Sequence, residues 1–552
     1  MTEPPSYPSI DPTTFDLILI GTGLSESIIA AAASASGKSV LHIDQNKFYG
    51  SHFSSLSIPD LTSFLNSNSV PTPSPPPPQT PHPDFTVVNL TTQPLYSNVE
   101  ISSFSNELIE QNCSKFSLDI SGPRVLYCAD NSIDLMIKTG ANQYVEFKSI
   151  DASFVGDENG KLWNVPDSRA AIFKDKSLSL MEKNRLMRFF KLVQSQIATN
   201  ENQEQQEEED VRISEQDLES PFVDFLNKMK LSSKIKSIIL YAIVMADCDQ
   251  ENTGGANKDL LKTKDGIDRL ALYQSSIGRF TNALGAFIYP IYGQGELPPA
   301  FCRRAAVKGC IYVLRMPVVA LLMDKNNGNY KGIRLASGQE IYSQKLVLDP
   351  SFTVPSSPSD PLHESFCFLS VRDVKQKVAR AICITKCSLK PDTSNFLAVY
   401  PPRSLYPEQS TSIRALQMGG NLAVCPTNMF ILYLSALCDD VHQGKKLLNT
   451  AMNALLSSTD SENPESCSTG QTENTEVQSM LLWSALYIQE LTTVGQFDSI
   501  SSTSMPDGNL DYNDVLDSAK KLFQKMYPNE EFFPETKSPE SSEHDAGVAL
   551  ES

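Results

Sequence analysis

The sequence predicts an α/β protein in which a Rossmann-type, FAD/NAD(P)-binding-like domain is interrupted by an inserted all-helical second domain. Three observations carry that prediction. Residues 15–44 run strand, glycine turn, helix, strand. Residues 168–198 and 214–285 repeat apolar side chains at helical spacing, as with Phe222, Phe225, Leu226 and Met229. Short apolar strand patterns then return at Ile311–Leu314, Ala320–Asp324 and Leu346–Leu348. A helical block between two stretches of α/β pattern implies a discontinuous first domain.

Taken in order, Phe15–Ile20 is a short apolar strand, and residues 24–36 (LSESIIAAAASAS) suit a tightly packed helix. Lys38–Asp44 (KSVLHID) is a second strand, which completes the opening of a Rossmann unit. Residues 143–166 read as strands with a turn at Asp157–Gly160. The expected division is a disordered 1–14, a first domain of 15–166 with 281–528, a helical domain of 167–280, and a disordered acidic tail of 529–552. Residues 55–110 are expected to be a flexible insert, since 66–84 is proline-rich and excludes helix or central strand. The runs 200–210 and 456–478 hold too few apolar residues to fold and are expected to be loops.

The chain has 552 residues, room for two or three domains, and a net charge of −19. The charge is local. Residues 201–210 carry six acids and no base, residues 457–476 five acids and no base, and the tail seven acids against Lys537. The remainder is close to neutral, which excludes a basic nucleic-acid-binding face and docking on anionic lipid by charge alone. The N-terminus has an acid and prolines where a signal peptide needs basic and then apolar residues. The longest strongly apolar stretch, Ile238 to Ala246, is short of the roughly 20 residues a membrane span needs. The C-terminal VALES holds no prenylation box. Eleven scattered cysteines and six histidines show neither zinc spacing nor a disulfide framework, so a reducing cytosol is the expected home.

The nucleotide fingerprint is flawed. Gly21 and Gly23 form the tight turn, and Asp44 ends the second strand, where an acid can bind a ribose hydroxyl. The third glycine of GxGxxG, which normally lets helix and strand pack closely beside a pyrophosphate, is Glu26. Its bulk and negative charge would oppose a phosphate. Flavoenzymes of similar pattern carry an Arg and a Gly-Gly pair just after the acid; here the stretch is DQNKFYGS, without the Arg and with Ser51 for the second glycine. The expectation is a scaffold kept for packing, with no cofactor bound. No general acid/base pair or nucleophilic constellation is evident, so no catalytic residue is assigned.

Residues 15–50, with Glu in place of the third glycine, resemble the first conserved block of the family of Rab GDP-dissociation inhibitors (GDI) and Rab escort proteins. Residues 285–314, built around YPIYGQGELP, resemble its most distinctive block, and 116–166 and 341–354 resemble others. The length, the insertion across 55–110 and the block 401–426 are more similar to the escort branch, and a GDI is the alternative. The resemblance implies a GDI-like fold and a non-enzymatic partner of GDP-bound Rab GTPases, which presents them to a geranylgeranyltransferase heterodimer. It also implies shelter for the geranylgeranyl group and transient membrane contact during delivery.

Residue by residue, the resemblance implies a Rab-binding platform of Tyr49, Glu296, Arg303 and Val313. Read from the residues alone, Glu296 could instead cap a helix starting after Pro298, and Arg303 could pair internally. The chain departs from the family at Cys310, where a second glycine is usual, and at Ile311. The helical domain is implied to shelter the lipid and to contact the transferase. Candidate positions are Ile235, Ile238, Ile239, Ala242 and Met245, at helical spacing on 233–246. Read from the residues alone, such a stripe is more often core.

Overall fold

In a computed structural model, residues 7–70, 82–157, 160–166, 178–201, 213–251, 260–353, 376–457, 480–497 and 499–534 are described. Of the loops expected at 200–210 and 456–478, residues 202–210 and 458–478 lie outside them, as do the tail beyond 534, residues 1–6 and most of the proline-rich run, while 200–201 and 456–457 end helices Leu180–Glu201 and Val441–Ser457.

The opening unit is β1 (Thr14–Ile20), α1 (Leu24–Ala35) and β2 (Val40–Ile43). β1 and β2 are parallel, with Leu17 opposite Val40 and Ile20 opposite Ile43. β2 is buried throughout and β1 from Leu17 onward, as strands covered on both faces must be. Strand Ile311–Val313 extends the sheet beyond β2, and Glu340–Leu348 followed by Ile500–Ser502 extends it beyond β1, all in parallel. The outer strands Tyr330–Leu335, Val318–Asp324 and Phe85–Asn89 are antiparallel. Helix α1 is buried because its small Ala30–Ala33 face lets it lie close to Leu17, Leu19, Ala300 and Ala305.

A second, mostly antiparallel sheet runs in the order Leu162–Asn164, Ala152–Gly156, Phe396–Tyr400, Ile413–Gly419, Phe430–Cys438, Lys377–Thr385, Leu481–Glu490 and Tyr96–Ser103. Helix Val441–Ser457 covers one face of it. Against the other face lie helices Leu180–Glu201, Phe222–Lys228 and Thr263–Ser276 and the turns between them. Phe189, Phe222, Leu226 and Ile239 share one core with Ile384, Leu416 and Met418, so the helical segment is packed continuously with this sheet.

Three order expectations are corrected. Residues 55–110 are not a flexible insert as a whole: Phe85–Asn89 pairs with Val318–Asp324, and Tyr96–Ser103 pairs with Leu481–Glu490. Helix Ile58–Ser67 buries Leu61, Phe64 and Leu65, and its start is capped by Ser57. Residues 7–14 are tied down, because Ile10 is buried and both its backbone groups bond the Gln339 amide, at 2.9 and 2.7 Å. The chain is also anchored to residue 534. Phe533 is buried against the α1 core, and Lys38 pairs with Glu530 at 2.7 Å.

Candidate functional site

The end of the parallel sheet, where α1 begins, is the place at which such folds receive a dinucleotide. Here it is filled from inside. Gly23 leads into α1 without a side-chain cap, and the Glu26 carboxylate folds back over it. That carboxylate accepts hydrogen bonds from its own backbone N–H and from the Thr503 hydroxyl. Glu26 thus occupies the anion position of the helix N-terminus with its own side chain. Asp44 accepts from the Thr22 N–H at 2.9 Å and the Thr22 hydroxyl at 2.6 Å. Asp349 closes over Gly21 and accepts from Ser51 at 2.5 Å and from the Ser351 N–H at 2.8 Å. His52 Nε2 lies 3.4 Å from the same carboxylate, and its Nδ1 lies 2.8 Å from the Tyr96 hydroxyl.

Burial pushes Glu26 up to about 8, with Asp349 adding to the rise. Burial likewise pushes Asp44 up to about 6 against the Thr22 hydrogen bonds. Burial also acts upward on Asp349, but contacts from His52, Ser351 and Ser51 outweigh it and hold this carboxyl below the usual range. Glu26 thus bars a pyrophosphate by its bulk and by occupying the helix N–H, and the upward push of burial on its carboxyl weakens the part that its negative charge would play. The FAD or NAD(P) donor set does not fit here. Ser51, read from sequence as a missing glycine, has a left-handed backbone (φ 46°) and turns its hydroxyl to Asp349. The Asp349–His52 cluster was invisible in the sequence because its members lie about 300 residues apart.

Beside this closed crevice is an open surface. Tyr49 is half-buried and meets Tyr312 edge-on, with ring centroids 6.0 Å apart. Tyr312 in turn lies against His42 at 5.0 Å. Glu296 sits at the start of helix Leu297–Val307, whose first turn holds Pro298, and its side chain makes no cap. Arg303 is exposed on that helix, with its guanidinium 5.4 Å over the Tyr144 ring. Burial raises both Glu296 and Tyr49, and the Arg303 charge opposes the rise in each. These three side chains therefore share one electrostatic neighbourhood. Val313 ends strand Ile311–Val313, and its carbonyl accepts the Asp44 N–H at 3.0 Å. The structure thus places Val313 against the back of the crevice, half-buried. Neither the capping nor the ion-pair reading of Glu296 and Arg303 is realised among the described residues. Cys310 is buried and packs into the α1 core.

The helical candidates take the core alternative. Ile235, Ile238, Ile239 and Ala242 are all buried, as is Met245. The segment is a short helix Ser233–Ser237 followed by a π-helical turn Ile238–Ile243, and every residue of that turn is buried. These side chains form core and present no lipid- or transferase-facing surface in this structure. Lys234 of this segment is half-buried, with its ammonium 3.9 Å over the half-buried Trp163 ring. Among the described residues no group of acids, histidines and cysteines could hold a metal, and no helix is long and apolar enough to cross a membrane.

A flavoprotein-like scaffold with its phosphate crevice plugged by its own side chains, next to a polar and aromatic platform, defines the class. The chain belongs to the GDI (GDP dissociation inhibitor) family, whose model matches residues 11–76 and 83–461. It is 59% identical to Rab escort protein 1 of Arabidopsis thaliana, over all of both chains. It is 27% identical to the Rab proteins geranylgeranyltransferase component A of Drosophila melanogaster, over 96% of this chain and 91% of that one. Among solved structures, a Rab GDI from Plasmodium falciparum superposes with a TM-score of 0.65, at 18% identity, over 94% of this chain and 99% of that one. The fold is GDI-like.

Proposed function

We propose that this chain is a Rab escort protein that acts by assembly rather than by bond-making. It binds newly made, GDP-bound Rab through Tyr49, Glu296 and Arg303, with Val313 supporting the sheet edge behind them. It presents the Rab to the geranylgeranyltransferase heterodimer, shields the attached geranylgeranyl chains, and delivers the product from cytosol to membrane by transient contact. The observation that carries the reading is the end-to-end likeness to the Arabidopsis escort protein, spanning 100% of both chains. Glu296, which makes no cap, and Arg303, exposed and held by no ion pair among the described residues, add to it as opposite charges that a partner could meet.

Shielding a C20 chain needs an apolar cavity, because each CH₂ buried is worth about 0.8 kcal/mol. The continuous core around Phe189, Phe222 and Ile239 is where the helices would have to part to make one. The transferase is assigned to the helical segment, with the half-buried Trp163–Lys234 pair as the candidate contact. The test is co-purification of Rab-GDP, the transferase heterodimer and this chain. Co-elution of all three supports the escort reading. Capture of prenylated Rab without the transferase would instead make the chain a GDI that extracts and recycles Rab.

A further inference from the structure

The turn that carries Glu296 holds a second feature that its packing does not explain. Tyr292 has a left-handed backbone (φ 73°) although it is bulky, and its side chain is 57% exposed. A bulky residue is disfavoured in that conformation, because Cβ crowds the following carbonyl. Glycine or asparagine would hold the same backbone with less strain. Such strain persists only where the surroundings over-determine it.

They do so here. The Tyr292 N–H donates to the Leu422 carbonyl at 2.9 Å, and its own carbonyl accepts the Ser117 hydroxyl at 2.6 Å. The next three residues are clamped as well. The Gly293 N–H donates to the Pro290 carbonyl at 3.1 Å and the Gln294 N–H to Asp119 Oδ1 at 3.2 Å. The Gly295 N–H donates to the Ser55 hydroxyl at 2.7 Å. Ser55 donates to Asp119 at 2.5 Å, and the Tyr289 hydroxyl donates to the other Asp119 oxygen. A Cβ on Gly293 or Gly295 would collide with Ser55, so the turn has no slack. Every restraint acts on the backbone. The Tyr292 hydroxyl has no hydrogen-bond partner among the described residues, and its ring meets no other ring there.

We infer that Tyr292 is a further contact residue for the Rab partner, presented four residues before Glu296 by a clamp of Ser55, Ser117 and Asp119. A rigidly held, exposed tyrosine is suited to a contact hot spot, since it offers a large amphipathic surface and loses little conformational freedom on binding. The occupant is assigned by continuity, because Glu296 belongs to the same clamped turn. The inference rests on the reading that the platform binds Rab.

The experiment measures Rab-GDP affinity and melting temperature for the full chain, for Tyr292→Gly, for Tyr292→Asn and for Arg303→Ala. Both Tyr292 variants are expected to raise Kd about 10-fold, with a melting temperature equal to or above that of the parent, because the strain is relieved. Normal Rab binding by both, with Arg303→Ala weakened, would overturn the inference and leave the platform reading standing. Loss confined to the glycine variant would also overturn it, since turn flexibility would then be the cause. Normal binding by all three variants would sink the platform reading itself.

Discussion

Two neighbouring regions at the same end of the parallel sheet use polar side chains in opposite ways. In the crevice, Glu26, Asp44 and Asp349 are buried, and each carboxylate is answered from within by Thr503, Thr22, Ser51 or Ser351. On the platform, Tyr49, Glu296 and Arg303 are half-buried or exposed, and neither charged residue is ion-paired among the described residues. Unpaired polar groups are stable only where water or a partner can reach them. The difference separates a crevice closed by its own side chains, part of the core, from an open surface that is proposed for binding.

The largest effect that could break this contrast is on Asp349. Asp349→Ala would strand Ser51, Ser351 and His52 in the core, and it is expected to cost about 3–5 kcal/mol of stability in denaturant unfolding. The variant that remains folded should bind Rab with parental affinity. A stable variant with weakened Rab binding would mean that crevice and platform are one site.

The pH dependence sharpens the same contrast. The folded pKa of Glu26 lies above its ordinary 4.5, near 8, so the native state holds a proton that the unfolded chain releases. Its contribution to stability therefore falls as pH rises from about 4.5 to 8, by at most about 1.4 kcal/mol per pH unit. Asp44 acts in the same direction between its ordinary 3.8 and about 6. The low pKa of Asp349 acts oppositely: its contribution is present above 3.8 and is lost as pH falls through the lower folded value. Glu26→Gln should flatten the decline between pH 6 and 8 while leaving Rab affinity unchanged. An unchanged slope would contradict the burial of an uncharged Glu26.

On the platform, Arg303→Ala and Tyr49→Ala should each weaken Rab-GDP binding by about 1–3 kcal/mol in a titration, with little change in melting temperature. A melting temperature that falls while Rab binding stays normal would make Arg303 a structural partner of Tyr144. The smallest expected effect is on flavin. Glu26→Gly should release no FAD on denaturation and show no absorbance near 450 nm, because Asp349 still covers Gly21.

The opening unit was legible because it is local: apolar runs, a glycine turn and an alanine-rich helix lie within 30 residues, and Glu26 stands at a position whose packing demand is known. The plug itself was not legible, since Asp349 and Thr503 reach α1 only through the folded sheet. The insert misled because its strand Tyr96–Ser103 has one buried end and otherwise half-exposed or exposed positions, so its sequence lacks the strong alternation of a central strand. The stripe at Ile235, Ile238 and Ile239 suits an α-helix in sequence, but the segment turns π-helical at Ile238 and is buried on every side to Ile243. Periodicity alone could not tell a face turned to a ligand from a face turned to the core.

The most direct measurement is geranylgeranyl transfer to an unprocessed Rab by the purified transferase heterodimer, with and without this chain and with Arg303→Ala. Transfer should require the chain, rise to saturation with it, and need more of the Arg303→Ala variant for the same rate. Transfer at the same rate without the chain would contradict the escort function outright.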